Sequence, residues 1–472
     1  ADLVIAQINP RMPRVLGRSF LHVNDVDLVV PHEEPLLTVA PGPESDAGRT
    51  IGRLIARLVE DGATLQINPG TTLEATLLAL AEKNDLGVHS QFLCDSIMHL
   101  FSRGVINNRH KGFNNGKMVA STAIGSENFY EFINDNPAIE FHPSDYVNRA
   151  TIIARHHRMV ALNVAMAMDL TGQVAADALP YNHFSGVSGM VDFARGAALS
   201  QGGRSILMMP STAMQGARSR IVPQLGDITV VVPRGDVHYV CTEYGLVNLF
   251  GKSLQERALA MISIAHPDYR DELFDAAREA KLLSKERVVG DAIYGVYPLR
   301  LEENFEIDNM SVTIRPAKPV DERRIQEHFY GLESRDVLSR FMHNKKSFTR
   351  SEVGSVSQVD YVNNLTMVAV VGEFGFGQVV GIGEYLFDPA TNFAEIAFSV
   401  STAWQGKGLG RLLQDKIALG ARDNGIAGLV AYTVPENHGM VHLFQCLPYK
   451  VHTALENGMI KLSCRFDEPL VD

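Results

Sequence analysis

The chain has 472 residues, of which 46% are apolar and 21% are charged. This length exceeds that of one ordinary domain, and the composition is typical of a globular protein rather than a disordered one. The 43 basic residues are outnumbered by 54 acidic ones, which gives a formal charge of −11. Without a net positive field the chain cannot neutralise a phosphate polymer, which argues against a general nucleic-acid-binding role.

The cysteines are few and scattered. They have no CxxC spacing, so neither a zinc knuckle nor a disulfide framework is indicated, and we expect reduced thiols in a cytoplasmic protein. The four are Cys94, Cys241, Cys446 and Cys464. No apolar run is long enough to cross a bilayer and no signal peptide is visible, so we expect no membrane association. The chain opens with "ADLVIAQINP" and no initiator methionine, and we expect it to be a fragment of a longer protein.

The first half of the chain alternates between predicted strands and helices. Residues 33–48, rich in proline, glycine and acid, are typical of a linker. A helix and a short strand follow, and then a second helix that Thr71 or Thr72 can cap. Further apolar strands are predicted at "MVASTAIG", "MVALNVAMAMD", "RSILMMPST", "ITVVVPRGD" and "HYVCTEYG". This alternation predicts an α/β sheet that is largely buried on both faces.

A second unit is predicted to begin at Met310, after the apolar rhythm weakens over residues 281–309. A strand, a turn with proline and a helix come first, followed by three strands with hairpin-like turns. The segment "GKGLGRLLQDKIALGARDNG" predicts a helix that ends at Asn424–Gly425. Its apolar stripe comprises Leu409, Leu412, Leu413, Ile417 and Ala421.

The stretch "WQGKGLGRLL" is a glycine-rich turn that opens this helix directly after a strand. Glycines let the backbone approach an anion, and the first turn of a helix presents free N–H groups at the positive end of its dipole. This arrangement predicts a pyrophosphate group as the ligand of the turn. Taken alone, the same pattern also fits an ordinary tight strand-to-helix turn.

The residues around this turn resemble the GNAT acyltransferase superfamily. The resemblance rests on "FAEIAFSVSTAWQGKGLGRLL" and "GLVAYTVPENHGMVHLF" and covers about Ser311 to Glu468. It implies that strand backbone near Phe398 and Val400 holds the pantetheine arm of coenzyme A, and that Asn437 lies close to its thiol end. The backbone amides implied to hold the pyrophosphate are those of Gln405, Gly406, Lys407, Gly408, Leu409 and Gly410.

The same resemblance gives Glu395, in "FAEIAF", the role of general base. An ammonium must lose its proton before its nitrogen attacks a thioester, and a carboxylate can accept that proton directly or through water. The alternative is that Glu395 is a solvated strand residue. Tyr449 and His438 are both candidates for the acid that protonates the departing thiolate. The insert "SRFMHNKKSFTRSEVGSVSQVDYV" resembles the bacterial protein-lysine acetyltransferases.

The stretch "LGVHSQFLCDS" concentrates reactive side chains in the first half of the chain. With "DVHYVCTEYGLVNLFGKSLQERALAMISIAHPDYRDEL" and other segments, it resembles the C-terminal half of the acetyl-CoA hydrolase/CoA-transferase family over about Ala1 to Leu283. That family attacks thioesters with a glutamate in the pattern G-[IV]-H-[ST]-E-[MF], and Gln91 stands at the glutamate position. An amide oxygen does not readily form the acyl anhydride. The resemblance therefore implies a catalytic loop that has lost its nucleophile, either naturally or by an engineered change.

Other parts of this family's site have counterparts in the sequence. "SGVSGMVDF" matches a glycine loop that packs on coenzyme A, through Gly186 and Gly189, although Ser188 replaces one glycine. Cys94 and Asp95 are the candidate replacement nucleophiles, with Asp95 also matching a structural aspartate. His156–His157 lack a third ligand at metal spacing, so we expect packing or surface roles for them and no metal site.

The predicted fold class is α/β: a CoA-transferase-type α/β domain followed by a GNAT α+β domain with a mixed central sheet. The predicted boundaries are 1–45 for the end of a mostly missing first CoA-transferase domain with its linker, 46–285 for the second such domain, 286–310 for a linker and 311–472 for the GNAT domain. The resemblances imply acyl-CoA as a substrate, an amine or protein lysine as acceptor, and a homo-oligomer.

Three functions fit these features, of which we predict the first and keep the other two as alternatives. The first is acyl-CoA-dependent N-acylation, with the CoA-transferase-like domain binding acyl-CoA. The second is CoA transfer or acetyl-CoA hydrolysis, with an accessory GNAT domain. The third is a non-catalytic regulatory protein that responds to acyl-CoA.

Overall fold

The computed structural model describes residues 2–39, 42–43, 45–68, 70–179, 182–183, 185–283, 297–318, 321–343, 345–357, 359–372, 377–456 and 458–470. The chain divides into two compact units, Ala1–His266 and Pro267–Asp472. Of the linker predicted at 286–310, residues 286–296 lie outside the described residues.

The first unit alternates strands and helices along the chain. Its strands are β1 (Ile5–Ile8), β2 (Leu28–Pro31), β3 (Thr64–Ile67), β4 (Gly87–Leu93), β5 (Met118–Ala123), β6 (Ile139–Phe141), β7 (Met159–Val164), β8 (Ala167–Asp169), β9 (Val174–Ala175), β10 (Ala178–Leu179), β11 (Asn182–His183), β12 (Arg204–Met208), β13 (Thr212–Ala213), β14 (Arg218–Ser219), β15 (Ile221–Val222), β16 (Tyr239–Thr242) and β17 (Gly245–Asn248). Its helices are α1 (Asp46–Ala56), α2 (Thr71–Ala79), α3 (Asp95–Ser102), α4 (Glu127–Ile133), α5 (Ser144–Val147), α6 (Ala150–Ile153), α7 (Met190–Leu199) and α8 (Leu254–Ser263).

The main sheet of this unit has the strand order β17-β16-β12-β7-β3-β4-β5-β6. Neighbouring strands are parallel except β16 and β17. The residues of β3 are all buried, as expected for a parallel sheet covered on both faces. Chain order reverses at β3, which lies between β4 and β7, and ligands of such sheets bind beyond the carboxyl ends of the strands near that point.

Two local predictions in this unit are wrong. The run "ITVVVPRGD" contains no strand: Val232 forms only an isolated bridge with Val174, and Ile228 packs against a small core cluster in a loop. A short apolar run does not distinguish a buried strand from a buried loop. At the start of α2, Gly70 occupies the N-cap and no side chain caps the helix, so neither Thr71 nor Thr72 has that role.

The second unit is built on one mixed sheet. Its strands are β18 (Glu303–Ile307), β19 (Met310–Pro316), β20 (Asn364–Val371), β21 (Gln378–Asp388), β22 (Phe393–Val400), β23 (Gly428–Thr433), β24 (Tyr449–Glu456) and β25 (Met459–Pro469). Its helices are α9 (Arg270–Glu279), α10 (Glu322–Tyr330), α11 (Ser334–Phe341), α12 (Arg350–Ser357), α13 (Leu409–Asp423) and α14 (His438–Gln445). The strand order is β18-β19-β20-β21-β22-β23-β25-β24, and among the described strands only β22 and β23 pair in parallel.

Helix α13 packs closely on this sheet because two glycines of β21 lie beneath it. A Cβ atom added to Gly381 would lie 3.1 Å from a methyl carbon of Leu413 and 3.2 Å from one of Leu409. A Cβ on Gly383 would lie 2.7 Å from the ring of Phe398. Because Gly381 and Gly383 have no side chains, both α13 and Phe398 of β22 can pack directly on β21.

Candidate functional site

The predicted pyrophosphate turn follows β22 in the second unit. A 3-10 turn at Thr402–Trp404 leads from the strand to Gln405, and Gly406 and Gly408 adopt φ angles of 72° and 84°. These are left-handed conformations that glycine adopts at little cost. Gly408 is the N-cap of α13, and no side chain in the described part of the chain accepts a hydrogen bond from the first turn of that helix. The N–H of Gln405 donates to the carbonyl of Thr402 at 3.3 Å, so of the predicted amides that of Gln405 is occupied, whereas those of Gly406 to Gly410 are available to an anion.

A gap in the sheet begins close to this turn. Strand β22 pairs with β23 only through Phe393, Ala394 and Glu395, although it continues to Val400. On its other side β22 stays paired with β21 to the last residue. Strands that part in this way leave an open backbone edge that an extended chain can occupy.

Phe398 and Val400 present their backbone groups at this open edge. Ser401 donates its N–H to Val380 in β21 at 2.9 Å, and alternate residues of a strand direct their backbone groups to opposite sides. The side chain of Gln405 donates from Nε2 to the carbonyl of Val400 and to Asp336 Oδ2, both at 3.0 Å. The carbonyl of Val400 is therefore taken, while Gln405 joins the strand end to the turn.

Lys407 places a positive charge in the turn. Its Nζ lies 2.9 Å from Asp308 Oδ2 and 5.2 Å from the centre of the Trp404 ring. Because both ionised side chains are at least a third exposed, the pair contributes about 0–1 kcal/mol and can be exchanged for another anion.

The residues proposed for acid–base chemistry have different surroundings. Glu395 is exposed on β22, opposite Leu386 of β21 and Val430 of β23. Asn437 is the N-cap of α14, where its side chain accepts from Met440 N at 3.1 Å. The Tyr449 hydroxyl accepts a hydrogen bond from Arg422 in the last turn of α13, at the opposite end of that helix from the glycine turn.

Of the two acid candidates, Tyr449 is therefore remote from the predicted anion site. His438 is exposed at the start of α14, which follows β23 on the side where β22 and β23 part.

In the first unit, the structure brings Gln91 and Gly189 together. Gln91 lies near the carboxyl end of β4, and its Oε1 accepts a hydrogen bond of 2.8 Å from the N–H of Gly189, the N-cap of α7. The neighbouring Asn148 side chain packs against the same glycine: a Cβ there would lie 2.8 Å from Asn148 Nδ2 and 2.9 Å from Gln91 Oε1. Gly186 lies in the exposed loop before α7, with nothing within 4 Å of an added Cβ.

Ser188 occupies the loop position where the sequence pattern leads us to expect glycine. Its φ of 56° is left-handed, a conformation that costs a residue with a side chain about 1–2 kcal/mol. The loop therefore keeps a left-handed backbone conformation at this position, although the residue is serine and not glycine.

Neither candidate replacement nucleophile is free for attack. Burial raises the pKa of the Cys94 thiol to about 11, so the reactive thiolate is scarce at neutral pH. Asp95 accepts hydrogen bonds from both the backbone N–H and the hydroxyl of Ser126. A carboxylate held by two donors at a helix start fits the structural role that the family resemblance implies for Asp95.

His89 of β4 and His156 form a buried pair of tilted rings. Their rings lie 4.2 Å apart, His89 Nε2 contacts the carbonyl of Val147 at 2.8 Å, and burial lowers the pKa of both imidazoles, that of His156 to about 3. His157 is exposed. Among the described residues no group of three or more His, Cys, Asp or Glu side chains could hold a metal ion. Likewise, no described helix combines the length and apolar character needed to span a membrane.

The family comparisons agree with both halves of this description. The model of the acetyl-CoA hydrolase/transferase C-terminal domain matches residues 125–277, and that of the GNAT acetyltransferase family matches residues 338–447. The chain joins a CoA-transferase-family domain to a GNAT domain. The predicted resemblances and the predicted fold class are thereby confirmed.

Three relatives illustrate the match. The 4-hydroxybutyrate coenzyme A transferase of Clostridium kluyveri is 45% identical over 276 residues, 58% of this chain and 64% of its own. The crystal structure of RipA from Yersinia pestis is 41% identical with a TM-score of 0.58, covering 60% of this chain and 64% of that one. An acetyltransferase of Pseudomonas aeruginosa, PA5475, is 26% identical over 133 residues, 28% of this chain and 72% of its own. The chain thus spans less than two thirds of the length of the first two proteins.

Sequence reasoning missed two residues that the structure places beside the proposed sites. Asn148 packs against Gly189, and its Oδ1 is buried without a hydrogen-bond partner among the described residues. His328 in α10 contacts Ser399 and Ser401 at the end of β22. Neither lies in a recognisable motif, and only the fold brings them to these positions.

Proposed function

We propose that this chain acts on coenzyme A thioesters and that its GNAT domain transfers an acyl group from acyl-CoA to an amine. The observation that carries the proposal is the uncapped turn from Gly406 to Gly410 beside the parting of β22 and β23. The turn offers N–H groups to a diphosphate, and the open strand edge offers hydrogen bonds to an extended pantetheine arm.

The proposed reaction needs few groups from the protein. The amine nitrogen attacks the thioester carbonyl carbon, the C–S bond breaks, and the proton of the amine passes to Glu395 directly or through water. The departing thiolate takes a proton from a nearby acid, for which His438 is the better placed of the two candidates. The acceptor is a small amine or a protein lysine, and the acyl group is acetyl in the simplest case.

The test is the release of free thiol from acetyl-CoA in the presence of a panel of amines and lysine-containing proteins. Amine-dependent release that falls at least about tenfold in Glu395→Gln supports the proposal, since general bases contribute about 10²–10⁴-fold. Glu306→Gln is the matched control, because Glu306 is an exposed strand glutamate at the other end of the same sheet. Release that does not depend on an amine, or that Glu395→Gln leaves unchanged, would contradict it.

CoA transfer or thioester hydrolysis in the first domain is the second candidate, and the relatives' names support it more directly than they support amine acylation. The contact of Gln91 with the N–H of Gly189 favours a retained frame around the nucleophile position. Against it stands the chemistry of Gln91, whose amide does not readily form an acyl anhydride.

Exchange of acyl groups between CoA and a carboxylic acid tests this second candidate. Gln91→Glu restores the carboxylate, and we expect it to raise exchange from background to a measurable rate. Gln201→Glu, an exposed site, makes the same charge change as a control. Exchange by the unaltered chain would make CoA transfer the leading function, whereas saturable CoA binding with neither reaction would indicate a regulatory protein.

A further inference from the structure

The end of β22 is anchored by a buried histidine that the proposed reaction does not use. His328 in α10 is 3% exposed. Its Nε2 lies 2.9 Å from the hydroxyl of Ser399 and its Nδ1 lies 3.2 Å from the hydroxyl of Ser401. Both ring nitrogens thus contact the segment that connects the open strand edge to the glycine turn.

This segment packs against the core through Phe398, Val400 and Trp404, and its side-chain hydrogen bonds extend to two helices, α10 and α11. Beyond Glu395 the strand has β21 on one side and, within the described part of the chain, no paired strand on the other. The side chain of Gln405 holds the carbonyl of Val400 from within the same segment. Asp336 in α11 holds the turn by accepting from Gln405 Nε2 at 3.0 Å, whereas His328 holds the end of the strand. The helix of His328 is itself fixed in the core by its residues Ile325 and Phe329.

We infer that His328 is a positioning residue that holds β22 and the following turn in the shape that binds coenzyme A. It touches neither substrate nor reacting atoms. Through Ser399 it fixes the strand between Phe398 and Val400, and through Ser401 it fixes the start of the turn that leads to Gln405. The inference rests on the proposed function of the GNAT domain, but it concerns CoA binding and not the chemical step.

The chemistry of a neutral imidazole suits this task. Burial lowers the pKa of His328 to about 4, so at neutral pH one nitrogen is a donor and the other an acceptor. The ring also hydrogen-bonds to the backbone of Val379 in β21, and a serine hydroxyl can take either role, so the contacts to Ser399 and Ser401 are both satisfied. A phenylalanine would fill the same space and make neither bond.

The chain carries its own reporter for the experiment. Trp404, the single tryptophan of the sequence, lies in the 3-10 turn between Ser401 and Gln405, so its fluorescence reports on that turn. We expect titration with CoA to change this fluorescence. His328→Phe should raise the Kd about 5- to 30-fold, the loss of one to two hydrogen bonds, while kcat for amine acylation changes less than about threefold.

Partial substitutions make the test specific. Gln at position 328 reproduces the donor or acceptor at Nε2, and Asn reproduces that at Nδ1, so His328→Gln and His328→Asn should each recover part of the affinity. Ser401→Ala should raise the Kd about fivefold. Ser357→Ala is the matched control, because among the described residues the hydroxyl of that buried serine in α12 bonds to Gly354 of its own helix, and it should change the Kd less than about twofold.

The outcomes separate this inference from the proposed function. Parent-like CoA affinity in His328→Phe, or equal weakening in Ser357→Ala, overturns the positioning role. If CoA binds and the histidine variants weaken it but no amine is acylated, the positioning role stands and the proposed function fails. If the parent chain binds no CoA at this turn, both fail.

Discussion

The contact between Gln91 and Gly189 makes a prediction that two glycines of the same loop can test against each other. An alanine Cβ at position 189 would lie 2.8 Å from Asn148 Nδ2 and 2.9 Å from Gln91 Oε1, closer than atoms can approach. At position 186 the same methyl group meets nothing within 4 Å. Neither glycine has a positive φ, so backbone strain does not separate the two substitutions.

The cost of Gly189→Ala depends on which atoms must move to make room for the methyl group. The obstructing atoms are the ends of two side chains, which can swing away, so the main cost in Gly189→Ala is the lost Gln91 hydrogen bond and the polar atoms it leaves unpaired. We expect the free energy of unfolding to fall by about 1–3 kcal/mol. Gly186→Ala should be neutral or stabilising by up to about 1 kcal/mol, since alanine has less conformational freedom in the unfolded chain.

Urea denaturation followed by far-ultraviolet circular dichroism measures the two stabilities, and hydrogen exchange of peptides covering α7 measures the local effect. In Gly189→Ala the start of α7 should lose protection. In the double variant Gln91→Ala/Gly189→Ala, the free energy of unfolding should fall by less than the sum of the two single effects. The reason is that Gln91→Ala removes one of the two clashes with the new methyl group. Equal stability of Gly189→Ala and Gly186→Ala would refute the reasoning.

Three further predictions concern other parts of the chain. His156 binds a proton less readily when folded (pKa about 3) than unfolded (ordinary value 6.5), so stability should fall as pH drops through that interval, and His156→Phe should flatten this dependence in denaturation curves. Arg315→Met removes the 2.7 Å partner of the fully buried Asp321, which keeps Arg324 at 3.2 Å, and should cost about 1.5–3 kcal/mol by urea denaturation, whereas a parent-like midpoint would contradict the pairing. Asp308→Asn should tighten CoA binding about two- to fivefold by releasing Lys407, as measured by tryptophan fluorescence, and unchanged affinity would argue against a role for that lysine.

Much of the fold follows from local patterns in the sequence. The predicted helix after the glycine turn is α13, Leu409–Asp423, with Leu409, Leu413, Ile417 and Ala421 buried on the predicted stripe. A long amphipathic segment with a glycine before it and Asn-Gly after it allows few alternatives. The run Ile228–Val232 is equally apolar but short, and it forms a loop because tertiary packing, not periodicity, decides such segments.

The sites themselves were only partly predictable. Gln91 and the glycine loop were both expected, but their hydrogen bond joins residues 98 positions apart, and nothing in one sequence encodes that pairing. His328 lies 71 positions from Ser399, on a helix whose pattern indicates only an apolar face. From sequence alone, a histidine at such a position is as consistent with a hydrogen-bonded core residue as with a functional one. Its contacts with the two serines are visible only in the three-dimensional structure.

The close approach of α13 to Gly381 and Gly383 has a consequence for the proposed binding site. These two glycines set the distance between the helix and the sheet. The first turn of the helix is also the surface that would bind a diphosphate. A methyl group on either glycine would move the first turn of α13 away from the sheet. The position of that turn relative to the open edge of β22 would then change. The geometry of the proposed thioester site would thus depend on two glycines of the sheet beneath the helix.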